Sequence, residues 1–291
     1  MSLPRRTFAL FLAMTPGIGG RSVTRILARN DLLNRSAEEF LRLSAEAFIE
    51  EYRLSAKAAA NLAHEPEKRI KLVQEAEKHL TGLGVNLISS ADAHYPNLIE
   101  EMDPDPPGIL FLYGNARLLE GSTFCVLSSR NSRPADLDLI EKLAEEGVLR
   151  SEVLVSGHDR PEYKRSAIVP LRWGSPRILC LDRGLFTALG KDLQNDTSSE
   201  AYLWRERFDP RTDLVISPFR PDAGFVGINN QVRDRLIGCL AKRLAFVQIA
   251  EGGNMERIAK LALKAGRQVE VSDRSPNFRS LVQLGASVIS S

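Results

Sequence analysis

The chain has 291 residues, enough for two domains or one large one with an appendage. Apolar residues make up 43% and charged residues 26%, the balance of a packed globular chain. With 39 basic against 37 acidic side chains the net charge is +2, so gross charge declares no polyanion partner and any such partner must be read from local clusters. No uncharged apolar run has the length of a transmembrane helix. Cys125, Cys180 and Cys239 lie inside apolar runs without pairing or metal-ligand spacing, which reads as buried thiols in a reduced cytoplasm. The opening segment is basic and then apolar, but no small-x-small site precedes Pro16, so no cleaved leader is expected.

Residues 4 to about 82 read as helical. The stretch from Met14 to Ser22 interrupts two helical patterns as a hairpin. Gly17 and Gly19 allow a tight turn, and a helix starting near Gly20 turns its free amides and positive end outward. That suits a phosphate, with Arg21, Arg25 and Arg29 adding charge; an ordinary helix connection would read the same way. Ser36 and Glu39 form a capping-box pattern, Ser55 opens an alanine-rich run, and Pro66 starts a periodic run that ends at Gly82 and Gly84. The period then changes. Val85–Ser89 and Ile109–Tyr113 are short apolar runs, separated by Tyr95-Pro96 and the proline-rich stretch 103–107. Further strand patterns follow at Phe124–Ser128, Val153–Ser156, Ile178–Leu181, Leu214–Ser217, Ala245–Ile249, Val269–Val271 and Ser287–Ile289. Helical patterns such as Pro134–Glu146 and Met255–Lys264 lie between them. The pattern predicts an α/β fold with two regions. Residues 1–84 form a small all-α helix-hairpin-helix (SAM-like) module, and residues 85–291 form a Rossmann-like, mostly parallel sheet with helices on both faces.

Four segments carry a family resemblance. They are Thr15-Pro-Gly-Ile-Gly19; Tyr95-Pro96 followed by the run from Asp105 to Gly114; the run from Arg233 to Leu240; and Gly266–Val269 with Asn277 and the run from Leu281 to Ala286. In this order and spacing they resemble the DNA-processing protein A (DprA/Smf) family. The resemblance implies a homodimer, paired through its Rossmann domain, that binds single-stranded DNA and loads a RecA-type recombinase onto it in natural transformation. It implies no cofactor and no catalysed reaction. The chain departs from the family in several places. The family's valine-glycine-serine-arginine turn reads Leu127-Ser128-Ser129-Arg130. After the next strand Ser156, Gly157 and Arg160 match, but Pro161, Tyr163 and Ala167 stand at its glycine, aspartate and histidine positions. A later serine-glycine-serine turn is replaced by the stretch from Glu251 to Asn254, and the winged-helix tail of many members has no counterpart before Ser291.

In an open parallel sheet, ligands sit beyond the carboxyl ends of the strands. The turns at Ser128–Arg130, Gly157–Arg160 and Glu251–Asn254 should meet there. The expected nucleic-acid site comprises Ser129, Arg130, Gly157, Arg160, Gly252 and Gly253, joined through the resemblance by Arg233 and Arg235. The four arginines would neutralise phosphates, and Gly252-Gly253 would cradle one with backbone amides, although Glu251 opposes an anion there. From Arg220 to Arg243 five basic residues face two acidic ones. At the hairpin, Gly17, Gly19 and Arg21 would contact a further phosphate. Phe219 and Phe225 are placed either to stack on bases or to pack in a core. No catalytic set, zinc-ligand spacing or Walker loop emerges; His158 alone among the histidines follows a strand end, where it could act as acid, base or switch. The expectation is a single-stranded DNA-binding protein and not an enzyme. Two alternatives stay open. One is a nucleotide-sensing or nucleotide-cleaving Rossmann domain, because the stretch from Gly252 to Glu256 faintly resembles the turn of related phosphoribohydrolases. The other is a degenerate homologue serving as a protein-interaction scaffold.

Overall fold

The structure is a computed structural model that describes residues 3–193 and 208–289. It begins with six helices: α1 (Arg5–Met14), α2 (Gly20–Leu32), α3 (Ala37–Leu41), α4 (Ala45–Tyr52), α5 (Ala56–Ala63) and α6 (Pro66–Gly82). Serine side chains cap three of them. Ser36, Ser44 and Ser55 each accept the amide three residues on, satisfying a donor that the helix itself cannot. At Ser36 the box closes, since its own amide donates to Glu39 at 2.7 Å. Pro66 sits in the first turn of α6, where its missing amide costs nothing. The rings of Phe8, Phe48 and Tyr52 gather around Phe40 with centroid separations of 4.9–5.3 Å.

The described residues then build one nine-stranded sheet. Its strands are β1 (Val85–Ser89), β2 (Ile109–Gly114), β3 (Thr123–Leu127), β4 (Val153–Ser156), β5 (Arg177–Cys180), β6 (Leu214–Ser217), β7 (Arg243–Phe246), β8 (Gln268–Ser272) and β9 (Ser287–Ile289). The order is β1-β2-β6-β5-β4-β3-β7-β8-β9. Only β2 runs against its neighbours, pairing antiparallel with β1 and with β6. The register Phe111↔Ser217 therefore brings the start of β2 to the carboxyl end of β6. The helices of this half are α7 (Asn97–Met102), α8 (Pro134–Leu149), α9 (Pro161–Ala167), α10 (Val169–Trp173), α11 (Leu185–Leu189), α12 (Asn229–Leu240), α13 (Asn254–Lys264) and α14 (Phe278–Gln283). β7 starts two residues before the apolar run that announces it. Arg243 can occupy its first position because Glu152 lies 3.1 Å away and Glu270 2.9 Å away.

Alternation along the strands assigns each side chain to a face. Ile109, Phe111, Leu179 and Val215 pack into one cluster with Leu10, Phe11, Phe40 and Leu80 of the N-terminal helices. Their neighbours Leu110, Leu112, Ile178, Cys180, Leu214 and Ile216 point the other way, onto Leu236, Leu240 and Ile258 of α12 and α13. A third cluster joins Phe124, Val126 and Leu154 to Leu139, Ile140 and Leu143 of α8. The helical region and the sheet thus share one core. At Gly108 the two regions approach backbone to backbone. A Cβ at Gly108, just ahead of β2, would lie 2.4 Å from the carbonyl oxygen of Gly20, so only glycine lets the start of α2 seat on the sheet rim. All three cysteines are buried and free, and burial pushes their thiols well above the usual range. Among the described residues no helix is long and apolar enough to cross a membrane.

Candidate functional site

The turns that leave β3, β4 and β7 meet at the carboxyl rim. The amide of Ser129 donates to the carbonyl of Gln248 at 2.8 Å, and the Ser129 hydroxyl accepts the amide of Ala250 at 2.9 Å, so two of the turns are stitched together by the serine. Ser128, standing where the family has glycine, is buried and shares a 3.0 Å hydrogen bond with the Ser132 hydroxyl.

Behind these turns lies a buried ionic network. Arg233 on α12 is wholly buried. Its Nε donates to Asp234 at 2.8 Å, one terminal nitrogen donates to Asn230 at 3.0 Å, and the other meets Asp159. Asp234 also accepts the Tyr163 hydroxyl at 2.6 Å, Arg160 at 3.3 Å and the Asn254 amide at 3.2 Å. The Arg160 and Arg233 guanidinium groups each lie 4.6 Å from the Tyr163 ring centre. Burial pushes the Tyr163 phenol far up, so it stays a donor. Burial also tends to raise Asp159, but the Arg233 guanidinium outweighs it and holds that carboxyl below its ordinary value. Gly157 leaves room for this ring: a Cβ there would come 2.7 Å from Tyr163.

The sequence-predicted residues therefore separate. A pocket of about 390 Å³ is lined by Arg130, Asn131, Ser132, Asp159, Arg160, Glu162 and Asn230. Arg130 stands exposed at its mouth and has no ion pair among the described residues. Arg233 lies beneath, with all three nitrogens committed to protein oxygens, so a phosphate contact would require Asp159, Asp234 or Asn230 to give way. Arg235 points elsewhere, pairing with Asp103 at 2.7 Å and lining a second groove with Gly17, Gly19 and Arg21. Both glycine amides at the β7 turn are engaged: Gly252 donates to Glu256 at 2.5 Å and Gly253 to the Ala250 carbonyl at 3.1 Å. Lys260 and the Gly252 amide hold Glu256 below its ordinary range, so an ionised carboxylate occupies the place a phosphate would take. No motif in the sequence marks Asp159, Tyr163 or Asp234 as a site component. A helical signal did bear on Arg233 and Arg235, because residues two apart on a helix do not face the same way.

Residues 86–160, which include the β3 and β4 turns, match the family model for DNA recombination-mediator protein A. The DprA-like fold runs the length of the chain. DNA processing protein A from Streptococcus pneumoniae aligns with 100% of this chain and 96% of its own, with a TM-score of 0.73 and 18% identity. DNA processing protein A from Helicobacter pylori, described for its single-stranded DNA binding mode, aligns over 71% of this chain and 91% of its own, with a TM-score of 0.55 and 18% identity. No curated protein is detectably similar in sequence. On the DprA-like fold the departures fit one another. Pro161 takes the first position of α9, and Tyr163 fills the space over Gly157 and hydrogen-bonds Asp234.

Proposed function

We propose that the protein binds single-stranded DNA at the carboxyl rim of its sheet and catalyses no reaction there. The reading extends to a cytoplasmic homodimer that delivers the strand to a RecA-type recombinase. The observation that carries it is Arg130, a cation that is exposed and has no ion pair among the described residues, lining a strand-end pocket on a fold shared with a Helicobacter pylori protein described as binding single-stranded DNA. Arg160 supplies a second positive group at the same pocket, and the buried network beneath holds it in place. Sequence-independent contact with a phosphate backbone needs this kind of presentation.

The nucleotide-cleaving alternative needs a positioned base and a free phosphate cradle. His158 is buried, and Glu256 is tied to Gly252 and Lys260. Neither supplies that set. The test is fluorescence anisotropy with an oligodeoxythymidylate across a salt series. Arg130→Ala should weaken binding to every sequence and flatten the log–log salt slope by roughly 0.7. Wild-type protein that fails to bind at low salt, or that releases base or phosphate from nucleotides with turnover lost in both His158→Ala and Glu256→Ala, overturns the reading.

A further inference from the structure

The carboxyl rim carries a second pocket on the far side of α12. It is a groove of about 640 Å³ between the N-terminal hairpin and the loop after β6, within the size range of small-molecule sites. Three arginines line it: Arg21 from the hairpin, Arg220 from the loop and Arg235 from α12, against a single lining acid, Asp105. Arg220 is exposed and has no ion pair among the described residues. In the pair between Arg21 and Asp105 at 2.9 Å the arginine is exposed and the aspartate half-buried, so the guanidinium is open to a competing anion. Apart from Thr15 the rest of the lining is glycine or apolar, and it includes Pro16, Pro106, Pro107 and the half-buried Phe219. The Phe219 amide donates to the Ser217 hydroxyl at 3.1 Å, and that hydroxyl donates to the Arg183 carbonyl at 2.8 Å, so the segment carrying the ring is anchored to β6.

Three arginines, one aromatic residue and several prolines in a single lining suit a group that is anionic at one end and a planar ring at the other. We infer that this groove is a second nucleotide subsite, in which Arg220 and Arg21 hold a backbone phosphate and Phe219 stacks on an unpaired base. The inference rests on the single-stranded DNA reading and extends it. Asn230 of α12 lines the strand-end pocket, while Val232 and Arg235 of the same helix line the groove, so one strand crossing α12 meets both sites.

The experiment compares wild type, Arg130→Ala, Arg220→Glu and Phe219→Ala as full chains, with melting temperatures to verify folding. The probe is an oligodeoxythymidylate of about 30 nucleotides, longer than the roughly 4–16 covered by one single-strand-binding fold. Arg220→Glu changes an exposed side chain and should weaken this probe about tenfold with an unchanged melting temperature; Phe219→Ala should weaken it by a similar factor. A probe carrying 5-iododeoxyuridine should crosslink on irradiation to the peptide containing Phe219. If Arg130→Ala weakens the probe while Arg220→Glu and Phe219→Ala do not, and crosslinks fall elsewhere, the groove assignment is overturned and the strand-end reading stands. If wild type does not bind the probe, both fall together. Thymidine monophosphate at equal nucleotide concentration should compete poorly; full displacement of the probe would assign the groove to a free nucleotide and overturn its role as part of a strand site.

Discussion

Arg233 and Arg235 are two positions apart and do different work. Arg233 is a positioning residue, locking Asp159, Asn230 and Asp234 around Tyr163, whereas Arg235 lines the hairpin groove. Removing one member of a buried ion pair leaves the others charged and desolvated. Arg233→Met should therefore lower unfolding free energy by about 3–5 kcal/mol in urea titrations. A loss below about 1 kcal/mol would mean that the network is solvated. Acid should expose the same network. The folded pKa of Asp159 lies below its unfolded value of about 3.9, so its contribution is complete above that pH and is lost as pH falls through the folded value. Asp159→Asn should be less stable than wild type near neutrality, and the difference should shrink below about pH 4. A gap that stays constant from neutrality to pH 2 would remove Asp159 from the linkage.

At the scale of elements, two contacts decide where the helices sit. Ser36 caps α3 and closes the capping box with Glu39, and the cap binds this short helix to the Phe40 cluster. Ser36→Ala should cost about 1 kcal/mol, read as a lower melting temperature, with DNA affinity unchanged. Gly108 sets how closely α2 approaches the sheet. Gly108→Ala would drive its Cβ into the Gly20 carbonyl at 2.4 Å and the Val23 Cβ at 2.6 Å. Overpacking of this kind costs about 1–3 kcal/mol, and here it should also widen the groove and weaken a long oligonucleotide more than a short one. Equal weakening of both lengths would separate the hairpin from the binding surface.

For the whole molecule, the change of pattern near residue 84 marks a change of architecture, and the proposed regions 1–84 and 85–291 meet in a common core. Leu87, Ile109, Phe111 and Val215 of the sheet share a cluster with Leu10, Phe11 and Leu80 of the helices. Heat or urea should therefore unfold both regions in one transition by circular dichroism and tryptophan fluorescence. Residues 85–291 expressed alone would expose that sheet face, bind an apolar dye and melt at lower temperature than the full chain. Two resolved transitions, or an isolated sheet region as stable as the whole, would show that the shared cluster contributes little.

The element pattern was legible because it is local. Short apolar runs such as Val85–Ser89, Val153–Ser156 and Leu214–Ser217 coincide with β1, β4 and β6, and the Ser36, Ser55 and Pro66 signals mark real helix starts. The strand-end turns could be assigned to one rim because a parallel α/β sheet leaves few other places for them. What remained hidden depended on residues far apart in sequence. Arg233 and Asp159 are separated by 74 positions, and Tyr163 and Asp234 by 71, yet their pairing commits Arg233 to the buried network. The amides of Gly252 and Gly253 looked available because the sequence alone does not show Glu256 turning back onto them. By itself the sequence determined which segments form strands, helices and turns, because propensity and periodicity act between near neighbours. Only the tertiary structure decided which cations face solvent, because burial and ion pairing are set by the segments that packing brings together.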